Sequence, residues 1–304
     1  MYMLDALNLH IPTHLTKIES NFLHKKKVEI FIKRDDMIHN VISGNKWRKL
    51  KYNFKEAKLQ GHSTILSYGG AFSNHLHALS YACYKVGFKS IGLVRGDKDQ
   101  EHNSTLSFCK KHNMKLHYLD RTNYRLHKYS PKILNCLEKK YASFYMIPEG
   151  GNNLLGVKGC EEILSETDYM YDYVCAPVGT GCTASGLIRS MQCHQRFIGF
   201  VPFKKSIEQK NNIMKFCTSK SNKHWHLISD MNFGGFGKID NNLIKFVQQF
   251  KIDYDIELDL IYMGKLFYSL FDLINTNFFL NRTKILVLHT GGLQGLSGFD
   301  FQHS

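Results

Sequence analysis

Short apolar runs alternate with segments of helical spacing along most of this chain. The runs 28–33, 64–68, 90–94, 116–119, 144–147, 173–177, 197–202 and 285–289 carry the β-branched and aromatic residues that predict strands. Between them Leu50, Phe54 and Ala57 recur at the spacing of one helix face, as do Leu76, Leu79, Cys83 and Val86. Strands that are apolar almost throughout, alternating with helices, predict an α/β fold with largely parallel sheets buried on both faces. No internal repeat, low-complexity tract or Pro-rich linker breaks the pattern. With five prolines in 304 residues, a second domain is expected to be interleaved with the first and not strung after it.

Composition adds little to that picture but narrows it. The chain is 43% hydrophobic and 22% charged, an ordinary globular balance long enough for two subdomains. No stretch approaches the ~18–20 apolar residues of a membrane helix. The start, Met1-Tyr2-Met3-Leu4-Asp5, lacks a basic segment followed by an apolar one, so no signal peptide is expected. Eight scattered cysteines without a CxxC pair read as reduced thiols in a cytoplasm, with neither a disulfide framework nor a metal site. The net charge of +14 is spread over short pieces such as Lys25-Lys26-Lys27, Lys139-Lys140 and Lys204-Lys205, with the looser set Lys215, Lys220 and Lys223. None combines basic density with aromatic platforms, so no nucleic-acid partner is expected. A basic surface suits small anionic ligands.

In open α/β sheets, ligands bind where strands end and helices begin. Three such junctions are rich in Gly, Ser, Thr and Asn. In Ser67-Tyr68-Gly69-Gly70-Ala71-Phe72-Ser73-Asn74-His75, two glycines permit a tight turn, and Ser73 and Asn74 either cap the next helix or point into a cleft. In Pro177-Val178-Gly179-Thr180-Gly181-Cys182-Thr183, the glycines allow close approach of the backbone. The helix start that follows offers unpaired N–H groups, a cradle for one phosphate. It lacks the Gly-Lys-Ser/Thr ending of a nucleotide-triphosphate loop, and no acidic residue follows until Glu208, against a dinucleotide site. In His289-Thr290-Gly291-Gly292-Leu293-Gln294-Gly295, Thr290 offers a hydroxyl at a strand end.

A fourth segment, Ser43-Gly44-Asn45-Lys46-Trp47-Arg48-Lys49, places Lys46 at the start of a helix. A cation there opposes the helix dipole, and with desolvation its amine becomes a better nucleophile. Three basic residues in one first turn call for a nearby anion.

The segments KRDD…SGNKWRKL, SYGGAFSNH, PVGTGCTASG, DLIYMGK and HTGGLQG occur in that order over residues 10–300. Together they resemble the 1-aminocyclopropane-1-carboxylate (ACC) deaminase / D-cysteine desulfhydrase family of fold-type II enzymes dependent on pyridoxal 5′-phosphate (PLP), relatives of the tryptophan synthase β subunit. The resemblance implies two open twisted, mostly parallel sheets flanked by helices. It implies a large PLP-binding domain from residues 1–49 and 152–304 around a small domain of residues 50–151. It also implies a small amino-acid substrate and a homodimer. Lys46 would carry PLP as a Schiff base and move the Cα proton; Asn74 would bind the cofactor's phenolic oxygen. Gly179, Thr180, Gly181, Cys182 and Thr183 would hold its phosphate, and Thr290 would sit beside its pyridine nitrogen. Ser73, Asn74 and His75 would face the substrate carboxylate, with Ser73 and Tyr262 among the catalytic groups; Tyr262 would stack on the ring or transfer a proton. Lys49 would add positive charge near the cofactor.

This chain departs from the ring-opening pattern, which has Glu at the position of Met263 and Leu at that of Thr290. Desulfhydrase-type members carry small hydroxyl residues at both, so Thr290 matches them and Met263 matches neither. A second family tyrosine falls on Phe236. The expected reaction is α,β-elimination of D-cysteine to pyruvate, ammonia and sulfide, with ACC deamination as the alternative. A non-catalytic PLP- or ligand-binding homologue is a more distant one.

Overall fold

The structure, a computed structural model, describes residues 7–97, 103–204, 206–217, 224–230 and 233–294. Met1 to Asp5, Lys205, Lys220, Lys223 and Gly295, singled out above, lie outside these residues. The strands in chain order are β1 (Leu15–Ile18), β2 (Val28–Lys33), β3 (Thr64–Gly70), β4 (Lys89–Arg95), β5 (Met114–Leu119), β6 (Tyr145–Met146), β7 (Tyr173–Pro177), β8 (Arg196–Phe200), β9 (His224–Ile228) and β10 (Thr283–Leu288). They form two sheets. One has the order β1-β2-β10-β7-β8-β9 and the other β5-β4-β3-β6. Every pairing is parallel except that of β1 with β2. The fold is thus an α/β architecture of two mostly parallel sheets, with helices in the connections.

Alternation along β10 shows why its stretch from Ile285 to Leu288 is apolar throughout. Ile285 and Val287 enter one core with Ile30, Ile32, Leu266 and Phe267. Leu286 and Leu288 enter another, on the opposite face, with Val174, Ala176 and Leu187. A central strand buried on both faces leaves no position for a polar side chain. The smaller sheet is treated likewise: Ile65 packs with Leu50, Phe54 and Leu76, while Leu66 and Tyr68 pack with Ile91, Tyr124 and Leu137.

All eight strands expected from the pattern are present, with ends shifted by a few residues at most. β1 and β9 are additional. β1 has four residues and pairs only with β2. In β9, His224-Trp225-His226-Leu227-Ile228, no residue is fully buried. Edge strands need only half the apolar surface of central ones, so they leave a weak mark in the sequence. Because the pairing is parallel, β2, β3, β7 and β10 all deliver their carboxyl ends to connecting loops that carry the Gly-rich segments.

Candidate active site

The Lys46 segment and the Thr290 segment are nearly 250 residues apart in sequence, yet their backbones interlock. Gly44, at φ 67°, precedes helix Asn45–Leu59. A Cβ placed there would fall 1.7 Å from the carbonyl oxygen of Thr290, and one on Gly291 would fall 1.9 Å from Ser43 Oγ. Only two glycines permit this crossing. It brings Lys46 Nζ to the Thr290 carbonyl at 3.0 Å. Gly292 in turn abuts Asn74, whose Nδ2 would lie 2.7 Å from a Cβ at that position.

Charge in the first turn of the Lys46 helix is distributed unevenly. Arg48 is paired with the buried Asp35 at 3.2 Å, and Asp35 also accepts from Thr13. The backbone N–H of Gly44 donates to the Asp35 carbonyl at 2.8 Å, so this residue fixes both the turn and the helix behind it. Lys49 is 9% exposed, and its amine has neither an ion pair nor a hydrogen bond among the described residues. Burial first, and then repulsion from Lys49, bring the Lys46 amine down from the ordinary lysine range to about 7, with Asp259 opposing. A fair fraction of that amine is therefore free base near neutrality, as a nucleophile for a carbonyl must be.

The Gly179–Thr183 loop lies beside this amine-bearing turn. Asn45 Nδ2 donates to Thr183 Oγ1 at 2.7 Å. Helix Cys182–Ser190 begins after Gly181, which is left-handed at φ 95°, and no side chain caps it. Thr180 Oγ1 and Asn45 Oδ1 are buried without a partner among the described residues. The uncapped helix start and the Thr180 hydroxyl can donate hydrogen bonds and Lys49 adds positive charge, a combination suited to an anion.

Ser73 caps helix Asn74–Val86, its Oγ accepting from Leu76 N at 3.2 Å, and Ser73 and Asn74 are both half-buried. The hydroxyl proton of Ser73 is not used by the cap, so capping and a role in a cleft are compatible. Gln294 Nε2 donates to Asn74 Oδ1, which leaves the Asn74 amide nitrogen facing the Gly292 turn. His75 is buried, with Nε2 2.9 Å from Ser67 Oγ.

Tyr262 stands at the start of helix Met263–Asn275 and is partly buried. Its hydroxyl would lie 3.4 Å from a Cβ on Gly179, so it adjoins the Gly-rich loop. Burial pushes that hydroxyl well above the usual tyrosine range. Phe236 packs edge-on against Tyr262 at 5.9 Å and stacks on Phe203 at 5.1 Å. Thr290 is buried, and its hydroxyl donates to Met263 Sδ at 3.7 Å.

The site residues read from the sequence therefore occupy one region where the carboxyl ends of β2, β3, β7 and β10 converge. Three supporting residues were not singled out from the sequence. Asp259 accepts from the backbone N–H groups of Ile261, Tyr262 and Met263 at 2.7–3.0 Å and so fixes the turn that presents Tyr262. An Asp just ahead of an apolar helix is a cap signal that would have found it. His289 is wholly buried; its ring bonds the Glu257 carbonyl at 2.8 Å and receives Gly291 N–H at 3.2 Å, which orients the Thr290 turn. Asn45 ties the Lys46 turn to Thr183. For these two the sequence holds no clear signal, because the bonds of Asn45 to Thr183 and of His289 to Glu257 reach far along the chain.

Comparison with known proteins agrees with this geometry. A family model described as pyridoxal-phosphate dependent enzyme matches residues 7–204. A protein of Pyrococcus horikoshii named putative 1-aminocyclopropane-1-carboxylate deaminase is 28% identical over 88% of this chain and 85% of its own length. A D-cysteine desulfhydrase of Serratia proteamaculans is 24% identical over 97% of this chain and 95% of its own. A crystal structure of an ACC deaminase homologue superposes with a TM-score of 0.81 at 25% identity, covering 97% of this chain and 95% of that one. The O-acetylserine dependent cystathionine beta-synthase of Helicobacter pylori shares the fold, with a TM-score of 0.71 at 14% identity over 99% of this chain and 98% of that one.

Proposed function

Because the chain belongs to the pyridoxal-phosphate-dependent enzymes, in the branch of ACC deaminase and D-cysteine desulfhydrase, we propose that it is a lyase that converts D-cysteine to pyruvate, ammonia and sulfide. PLP-dependent chemistry is common to that branch, and the donor set here fits the cofactor. Lys46 offers a partly deprotonated amine to an aldehyde. The uncapped start of helix Cys182–Ser190, with Thr180 and Thr183, offers hydrogen bonds to a phosphate, and Lys49 the neutralising charge.

When bound, PLP supplies the electron sink for the pair released at the substrate's Cα. The chain's own residues would do the rest. Lys46 would hold the cofactor and would take up and return the substrate's Cα proton; its lowered basicity suits a group that gives and takes a proton near neutral pH. The Asn74 amide nitrogen would donate to the cofactor's phenolic oxygen, with Gln294 fixing the orientation of the amide. The backbone N–H groups at the start of helix Asn74–Val86 and the Ser73 hydroxyl would receive the substrate carboxylate. Tyr262, held by Asp259, stands ready as a proton donor to a leaving group, because its hydroxyl stays protonated.

The observation that carries the choice of reaction is the pair Thr290 and Met263. A hydroxyl bonded to a thioether stands where ring-opening members place Leu and Glu. Neither side chain is a carboxylate, so this pair would not hold a pyridine nitrogen protonated, and the electron sink would be weaker. That suffices to expel a good leaving group such as thiolate and disfavours opening a cyclopropane. The specific observation on the other side is that relatives such as the Pyrococcus protein carry the ACC deaminase name. Keto-acid release from D-cysteine, L-cysteine, D-serine and ACC decides between them. D-Cysteine is expected to lead in kcat/KM over ACC by at least about ten-fold, within the range that pocket contacts supply. ACC turnover equal to or faster than that of D-cysteine would overturn the assignment.

A further inference from the structure

The hydrogen bonds around His75 determine which of its nitrogens carries the proton. Ser67 Oγ is 2.8 Å from the carbonyl oxygen of Ile147 and 2.9 Å from His75 Nε2. A hydroxyl has one proton, and a carbonyl accepts but cannot donate. The Ser67 proton therefore goes to Ile147, Ser67 Oγ accepts from His75, and the imidazole proton sits on Nε2. His75 Nδ1 is left as a bare lone pair. That atom is buried and has no partner among the described residues, in a residue 7% exposed. Burial, followed by the charges of Lys49 and Lys46, holds the ring neutral, far below the usual histidine range at about 3.

The ring's Cε1, which both nitrogens share, lies 3.6 Å from where a Cβ on Gly151 would stand, and Lys49 Cβ lies 2.9 Å from the same point. Gly151 thus lets Lys49 pack close to the imidazole, and the charges of Lys49 and Lys46 both act on the ring. An acceptor buried without a donor costs roughly 1–3 kcal/mol, which a ligand that supplies the donor recovers. A carboxylate cannot do so, since two lone pairs repel. On the reading above, the substrate's amine is engaged with the cofactor, so the donor that remains on a small amino acid is a β-thiol or β-hydroxyl. ACC has only methylenes there.

We propose that His75, with its tautomer locked by Ser67 and Ile147, is a specificity-determining residue whose Nδ1 accepts a hydrogen bond from the substrate's β-thiol or β-hydroxyl. It would thereby take a different part of the substrate from the carboxylate suggested by family resemblance. The proposal rests on the amino-acid site described above, and the two are separable by experiment. In cofactor-free protein, the ¹⁵N resonances of His75 should show Nδ1 unprotonated and Nε2 protonated, unchanged between pH 5 and 8. In holoenzyme, the initial change in visible absorption on adding D-serine or D-alanine reports binding of ligands that differ by one hydroxyl. Wild type should favour D-serine by roughly three- to ten-fold, the size of one neutral hydrogen bond. His75→Asn, which keeps an acceptor at the place of Nδ1, should retain the preference, and His75→Gln should lose it. A protonated Nδ1, or a preference unaltered in His75→Gln, overturns the proposal. If neither amino acid perturbs the spectrum, both readings fall; if the preference holds while D-cysteine yields no keto acid, only the elimination reaction falls.

Discussion

Lys46 illustrates how one residue is made unlike the other lysines of a strongly basic chain. It has the same side chain as its exposed neighbours, but it sits in the first turn of a helix, against a backbone carbonyl and close to a second unpaired ammonium. Each of these disfavours the protonated form or holds the amine in place. The same features are a burden on the folded protein. An amine whose folded pKa is about 7, against an unfolded value near 10.4, binds fewer protons when folded, so between those values stability rises with pH. The cost is fully present below pH 7 and is relieved as pH climbs toward 10. Lys46→Met in cofactor-free protein is therefore expected to raise Tm, by more at pH 6 than at pH 9. Calorimetry at the two pH values checks this; a lower Tm at pH 6 would show that the amine is stabilised and not strained. A trade of stability for a reactive group is common at functional sites.

At the level of elements, the site depends on backbone crossings more than on side-chain contacts. Gly44→Ala would drive a methyl group into the Thr290 carbonyl, forcing apart the two segments that hold Lys46 in place. A loss of about 3–5 kcal/mol is expected, the range of severe packing defects. Gly61→Ala is the control, since Gly61 also has positive φ but nothing within 4 Å of its Cβ position. It should cost only about 1–2 kcal/mol, the strain of a left-handed residue with a Cβ. Urea unfolding of the two variants separates strain from collision; equal losses would mean that the crossing is not tight. These elements also show what a sequence does and does not display. Strands β2, β3, β7 and β10 are legible because both faces are largely buried and apolar residues dominate each run. The loops after them are legible because glycine, serine and threonine at such a junction have few other uses. The bonds from Asn45 to Thr183 and from His289 to Glu257 are not, because the partner is set by tertiary packing. β1 and β9 escape notice as edge strands with few buried positions.

Across the whole molecule, the parallel pairing of two sheets turns several strand ends toward one region. Five chain segments, around residues 43–49, 73–75, 179–183, 259–263 and 290–294, supply the amine, the helix starts, the tyrosine and the hydroxyl that meet there. None holds a site alone, which is why each motif is weak singly and the set in order is informative. The surplus of positive charge acquires a local meaning in this setting. Lys46, Lys49 and two helix starts lie in one region, Lys49 and Asp259 act in opposite senses on the Lys46 amine, and a phosphate-bearing aldehyde would suit that charge. The account stands on Lys46 as the attachment point. Protein incubated with PLP, reduced with borohydride and digested should yield one pyridoxyl-labelled peptide, modified at Lys46, and Lys46→Ala should yield none. A label on another lysine, with Lys46 unmodified, would contradict the account.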